Sequence, residues 1–520
     1  MSDAILGVRA AGDQAVLVEL AGLDEVLSLQ EHLTEHPFAG QLDVVAASLT
    51  VMITADSTVR AKDIAAQVGT LELDARPRAA GKLVTIDAVY DGEDLDLVAE
   101  LTGLRRDEVI ALHTGQIWTA AFAGFAPGFA YLVGADRRLN VPRRPSPRTS
   151  VPAGFIALAG NYSAIYPRQS PGGWQLIGRT AATIWDINRP HPALIGLGDR
   201  VRFQPVRELI VAAAPAATPA GVPSAATGPG GVRFADVVIS EPGMEATIQD
   251  LGRTGFAYLG VTTSGALDRG ALRRANRLVG NRDDEAAIEV LYGGFTLEAI
   301  TDQVMSVTGA VVPLTITSTD GVRPAPLESP FALRVSETIE LGRPTSGLRN
   351  YVAFRGGLDV RPVLGSRSTD TLSGIGPPAI VSGCRLSVGA PRSGSVVGNP
   401  ESAPEPVTEF LVVPGPRDDW FSPEEVERFY SREWLVTAKS NRIGVKFDGA
   451  ALVRDRPGEL PSEGTVRGAI QIPPDGLPVL FLADHPVTGG YPVIGVVASA
   501  ELDHAAQLVP GSRIRFRCQR

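Results

Sequence analysis

The apolar positions at the start of the chain change period several times. Ala4–Ala10 and Ala15–Leu20 read as strands joined at Gly12-Asp13, and Val26, Leu29 and Leu33 then recur at helical spacing. Leu42–Thr54 is rich in β-branched residues and predicts one long strand. Ser57 is placed to cap a helix running to about Gly69, and Leu83–Val89 predicts a further strand. This order predicts a small α+β domain over residues 1–82. Leu95, Val98 and Leu101 mark one short helix; Val109, Ile110 and His113 mark a second, ended by Gly115. From there to Phe203 short apolar runs alternate with Gly and Pro, which predicts a strand-rich domain over 83–205. Residues 206–232 are Ala, Pro, Gly and Thr in the main, a composition that builds no core and reads as a linker. Beyond it, Leu272, Ala275 and Val279 predict a helix capped by Asp268, and Ser422-Pro423-Glu424-Glu425 predicts another through a capping box. The Pro/Glu-rich stretch Asn399–Pro406 divides this second half into lobes 233–405 and 406–520.

Three segments recur in the same order in both halves. Val151–Ala157 matches Val466–Gln471, though weakly. Pro171-Gly172-Gly173-Trp174-Gln175-Leu176-Ile177-Gly178 matches Thr488-Gly489-Gly490-Tyr491-Pro492-Val493-Ile494-Gly495, and Gly198–Phe203 matches Gly511–Phe516. Both halves are therefore expected to end in the same β-rich domain, and two such barrels packed together would leave a cleft as the default ligand site.

Composition narrows the classes. The chain has 520 residues, 44% hydrophobic and 20% charged, too long for one core and too apolar for disorder. Its net charge of −10 argues against a nucleic-acid binder. Two cysteines, Cys384 and Cys518, exclude a disulfide framework and point to a reducing, cytoplasmic setting. No signal peptide, no membrane span and no metal cluster is expected. Walker, Rossmann, zincin and nucleophile-elbow motifs are missing, as is a Met-Lys biotin site.

The candidate chemistry is anionic recognition. Pro142-Arg143-Arg144-Pro145-Ser146-Pro147-Arg148 sets three arginines on a stiffened loop, suited to carboxylate or phosphate but equally to surface ion pairs. Gly172-Gly173, with Arg179 behind, and Gly489-Gly490-Tyr491 either present backbone donors to an anion or serve as plain hairpins. Gly124–Leu132 either walls a pocket or packs as a turn. Gln175 and Gln471, inside the repeated segments, join the set, as do Arg253, Asn441 and Arg442 in polar clusters beside glycines. Asp484, Asp268 and His113 stand as candidate catalytic groups. Asp268 is also a natural helix cap, His113 suits a helix C-terminus, and His485 reads as a surface histidine. Asn276, near an apolar helix face, needs a buried partner or a ligand.

These segments resemble the KipI/KipA-like family, whose halves are 5-oxoprolinase subunits B and C, the carboxyltransferase region of urea carboxylase, and proteins named allophanate hydrolase subunits 1 and 2. Residues 1–205 resemble the KipI-like half through His113, Gly124–Leu132, Pro142-Arg143, Pro147-Arg148, Pro152-Ala153-Gly154 and Ser170–Thr180. Residues 233–520 resemble the KipA-like half through Thr247–Arg253, Gly265–Asp268, Ala275-Asn276, Gly280-Asn281, Arg355–Gly357, Leu364–Thr369, Ser440–Arg442 and Thr488–Pro492. Ile443–Phe447 departs from the family's usual Met-Gly-Tyr-Arg-Leu style. The resemblance implies an α+β, β-rich fold with duplicated cyclophilin-like β-barrels. It implies an ATP-dependent component that opens the cyclic amide 5-oxoproline together with a separate A subunit. It also allows a carboxyltransferase served by biotin on a separate carrier protein, or a non-enzymatic regulator of a histidine kinase, and leaves oligomer formation open. Fusion of both halves favours an enzyme.

Overall fold

The structure is a computed structural model and describes residues 4–73, 81–146, 148–209, 235–456, 458 and 460–519. Most of the 206–232 linker, and Pro147, lie outside the described residues.

The N-terminal domain is a four-stranded antiparallel sheet in the order Ile5–Ala10, Ala15–Leu20, Thr50–Ala55, Gln41–Ala46, covered by helices Leu23–Glu35 and Thr58–Val68. Ser57 caps the second helix by accepting from the Arg60 N–H. The single strand expected over Leu42–Thr54 is two strands joined by a tight turn, closed by Ala47 N–H to Thr50 O at 2.9 Å. Ala47-Ser48-Leu49 carries no Gly, Pro or Asn, so the reversal leaves no mark in the pattern.

The duplication is complete at the level of sheet order. In the first half the strands run Gln175–Arg179, Phe155–Ala159, Tyr162–Ile165, Ala130–Val133, Trp118–Ala123, Arg200–Pro205, Leu83–Ala88. In the second they run Val493–Val497, Ala469–Gln471, Val479–Phe481, Gly444–Asp448, Glu433–Val436, Arg513–Cys518, Glu409–Pro414, and the barrel closes. The first barrel is joined across its edges by the Val89–Arg179 bridge and by the Gly92 and Asp94 N–H groups, which donate to Ile177 O and Leu176 O. In both, the final strand pairs in parallel with the first. In both, a buried tryptophan opens the second strand and donates its indole N–H to the carbonyl five residues back: Trp118 to His113 at 2.9 Å, Trp434 to Phe429 at 3.0 Å. Ser422 caps the helix before Trp434 by accepting from the Glu425 N–H, but the Glu425 carboxylate turns to Arg428 and Val453, so the capping box is only half made.

Between the barrels in sequence, residues from Val237 to Leu386 form a six-stranded and a five-stranded sheet. Helix Arg269–Leu278 packs Ala271, Leu272 and Ala275 against Tyr351 and Ala353. The N-terminal domain docks on the second half through carboxylates. Asp43 accepts from the N–H groups of Gly255 and Ala257, and Asp13 from the N–H and hydroxyl of Ser499. No helix among the described residues is long and apolar enough to cross a membrane.

Candidate functional site

The sibling hairpins sit at the junction of the two barrels, and that junction is filled. Thr488 Oγ1 accepts from the Phe125 N–H at 3.2 Å, and a side chain at Gly124 would collide with Thr488. Arg143 approaches the second hairpin: a Cβ at Gly490 would lie 3.7 Å from its Nη1. Gln175 Nε2 fastens the Pro142 carbonyl at 3.0 Å, which holds the Arg143 loop in place. Gly172 lies against the Tyr166 hydroxyl, Gly173 O accepts from the Arg144 N–H, and Gly489 lies against Gln471. Beside Gln471 and Tyr491 the free space is about 10 Å³, room for a single water-sized sphere. Each hairpin lies against packing rather than beside an open crevice.

Two of the loop arginines are tied to a carboxylate, although Arg144 Nε and Arg148 Nη1 are buried without partners. Arg148 and Arg144 both hold Asp94, at 2.9 and 2.7 Å, while the other Asp94 oxygen accepts from the Leu176 N–H. The second barrel has the same bridge with its charges exchanged. Glu463 stands opposite Gly489 as Arg148 stands opposite Gly172, and Arg417 takes the place of Asp94. Arg417 also holds Glu19 of the N-terminal domain. A site whose charges can be exchanged between siblings is built for structure. Arg179 pairs with Asp91 on the surface.

Asp484 and Arg442 form the centre of a buried network. Arg442 Nε and Nη2 donate to Asp484 at 2.9 and 3.1 Å, Nη2 also donates to Gly265 O, and Nη1 reaches Glu289. Asp484 further accepts from Ser264 Oγ and from the N–H and hydroxyl of Thr371. Although its burial opposes ionisation, Arg442 and these donors hold its carboxyl below the usual range. Arg253 is buried, donates to Ser368 O, and leaves Nε and Nη1 without partners.

The remaining candidates are structural by position. Asp268 caps its helix through the Ala271 N–H and accepts from Gln507; burial raises its carboxyl to about 6. Asn276 donates to Glu285 O and accepts from Asn281. Asn441 accepts from the N–H groups of Ile443 and Gly444, closing a turn. His113 is wholly buried between Tyr90 Oη (2.7 Å) and Ser163 Oγ (2.9 Å), and its ring lies 4.4 Å from that of Phe203. In the second barrel Phe429 occupies the corresponding place, stacked on Phe516. Burial pushes the His113 imidazole down to about 3, so the neutral ring is a packing piece. His113→Ala should therefore destabilise the chain by about 2–5 kcal/mol at pH 7, read by urea denaturation. A folded-state pKa below the unfolded value costs the wild type stability as pH falls below about 6.5. The gap to the variant should then shrink by up to about 1.4 kcal/mol per pH unit.

The roomy space lies elsewhere. A cavity of about 480 Å³ opens between the N-terminal domain and the second half, in the range of small-molecule sites. Ala11–Ala15, Asp43 and Thr54–Asp56 form one wall; Thr262–Ser264, Arg269, Arg273, Thr465–Arg467, His485 and Asp503 form the other. Three of its acids are already satisfied. Asp13 and Asp43 take the docking contacts described above, and Asp503 accepts from the N–H groups of Arg269 and Gly270 at the helix start. Its cations are not. Arg467 donates to Leu267 O and stands 3.7 Å from Asp503, yet its Nε is buried without a partner; so is the Nε of Arg269. Burial, with Arg467 and Arg273 near, pushes the Arg269 guanidinium down to about 9. Three guanidiniums clustered in one cavity wall favour an incoming anion.

The repeated hairpins are the more conspicuous feature of the sequence, and these arginines lie outside them. One signal is readable: Arg269 and Arg273 lie four apart from the first position of a helix, where the dipole disfavours positive charge. His485, expected at the surface, is buried in the cavity wall, and burial pushes it down to about 4.

Comparison with known proteins follows the two halves. The carboxyltransferase domain, subdomain C and D, matches residues 6–195, and the carboxyltransferase domain, subdomain A and B, matches residues 259–518. The C subunit of 5-oxoprolinase from Escherichia coli strain K12 is 35% identical over 54% of this chain and 89% of its own length. The B subunit of 5-oxoprolinase from Bacillus subtilis strain 168 is 34% identical over 39% of this chain and 93% of its own. The urea amidolyase of Saccharomyces cerevisiae is 34% identical over 54% of this chain but only 16% of its own length. The crystal structure of TTHA0988 superimposes with a TM-score of 0.83 at 31% identity, covering 97% of this chain and all of that one.

Proposed function

Because the chain belongs to the carboxyltransferase-domain family, with its C and D part preceding its A and B part, we propose that it is the fused B and C component of an ATP-dependent 5-oxoprolinase. The observation that carries this reading is the cavity that neither half forms alone, with Arg269, Arg273 and Arg467 clustered in its wall. 5-Oxoproline brings a carboxylate and a lactam. Arg467 and Arg269 would hold the carboxylate, and Arg273 adds positive charge where an activated amide oxygen gains negative charge. Asp484 does not act as the base here. Its contribution is to fix Arg442 and Ser264, and through Ser264 the cavity wall.

The chain mixed with its A partner should release glutamate from 5-oxoproline only when ATP is present, and no ATP-dependent glutamate would remove the proposal. The match to urea amidolyase favours a second reading, a carboxyltransferase that takes biotin on a separate carrier. Retention of a biotinylated carrier on the immobilised chain, with no glutamate formed, would select that reading.

A further inference from the structure

We propose that His485 Nε2 accepts a hydrogen bond from an N–H of the bound ligand, so that the cavity selects carbonyl compounds with an adjacent N–H over their ester counterparts. This rests on the reading that the cavity is the substrate site.

The neighbours of His485 fix its tautomer. Nδ1 lies 2.8 Å from the Pro486 carbonyl oxygen and 3.2 Å from Thr465 Oγ1. A carbonyl oxygen only accepts, and Thr465 donates its own proton to the same oxygen. Nδ1 therefore carries the hydrogen, and Nε2 carries a lone pair. Burial keeps the ring neutral around pH 7, so that lone pair persists. The ring is held in place, stacked on Phe481 at 5.7 Å with 12° between planes.

The neighbouring carboxylate does not compete for the role. Asp484 is committed to Arg442, Ser264 and Thr371, whereas the His485 ring lines the cavity with Arg467, Arg269 and Ser264. In a cavity rich in donors, Nε2 supplies an acceptor that is neutral, and so does not repel an anionic ligand. A ligand anchored by its carboxylate on the arginines can present a ring N–H to it. A lactone in the same pose sets an oxygen lone pair against the Nε2 lone pair.

The test is calorimetric binding to the chain with its A partner. The probes are 5-oxoproline and the matching five-membered lactone carboxylate, in which oxygen replaces the N–H. The wild type should prefer the lactam by about tenfold or more, and His485→Phe should bind the two alike. Equal binding of both probes by the wild type would overturn the assignment while leaving the substrate site standing, as would a preference that survives in His485→Phe. Failure of the wild type to bind either probe would overturn the site reading and this assignment together. Should His485→Phe melt early, His485→Asn and the wild-type comparison decide the matter.

Discussion

Arg442→Met should destabilise the second half by about 3–5 kcal/mol, the largest stability loss expected from a single polar substitution in this chain. Methionine fills much of the space but leaves the buried Asp484 without its cation, Glu289 with only Arg349 at 3.7 Å, and the Gly265 carbonyl without its donor. Loss of one member of a buried pair costs far more than removal of both, because the survivor stays charged and desolvated. Arg442→Met combined with Asp484→Asn should therefore recover part of the loss. The same reasoning applies to Asp484→Ala: any fall in turnover should follow the unfolded fraction. Urea denaturation of the three variants checks this. A change below about 1 kcal/mol for Arg442→Met would show that solvent reaches the network.

Arg467→Gln should have the opposite profile, a large functional loss with little change in fold. The glutamine amide ends near the place of Nε, two bonds short of the Nη2 that donates to the Leu267 carbonyl, so the fold loses one backbone contact along with the charge. The substitution removes one of the cations of the cavity wall proposed to hold the ligand's carboxylate. A charge-assisted contact of this kind is worth about 1.5–3 kcal/mol, which corresponds to about 10–150-fold in kcat/KM for glutamate formation, carried mainly by KM. Arg269→Gln should act in the same direction. Arg148→Ala, by contrast, should lower stability by breaking the Asp94 bridge and leave KM of the folded protein unchanged. An unchanged KM in Arg467→Gln, or a raised one in Arg148→Ala, would return the site to the hairpins.

Much of the fold is readable because the duplication is. The Gly-Gly-aromatic and Gly-x-Arg-x-Arg-Phe segments lie at matching places in two barrels with the same strand order, and the Asp268 and Ser422 caps stand at their helices' first turns. The turn at Ala47–Leu49 escapes because reversal there depends on sheet packing rather than on special backbone residues. The site is legible only in kind. In a chain of net charge −10 the clustered arginines point to guanidinium chemistry, and arginines do line the cavity. The sequence does not distinguish arginines tied into carboxylate bridges from those that line the cavity. Arg148 and Arg442 meet carboxylates 54 and 42 residues away, whereas Arg269 and Arg467 stand in the cavity wall. That distinction is set by long-range packing. Asp484-His485 illustrates the same limit: the pair stands out in the sequence, but which member faces the cavity depends on the turn between them.

The proposed anion site lies between the N-terminal domain and the second half, away from the hairpin junction. A crystal structure of the chain soaked with 5-oxoproline tests this most directly. The ligand's carboxylate is expected within hydrogen-bond distance of the Arg467 or Arg269 guanidinium, in the space bounded by Asp43 and His485. Ligand density at Arg143 and Gly490, with that space holding only solvent, would contradict it.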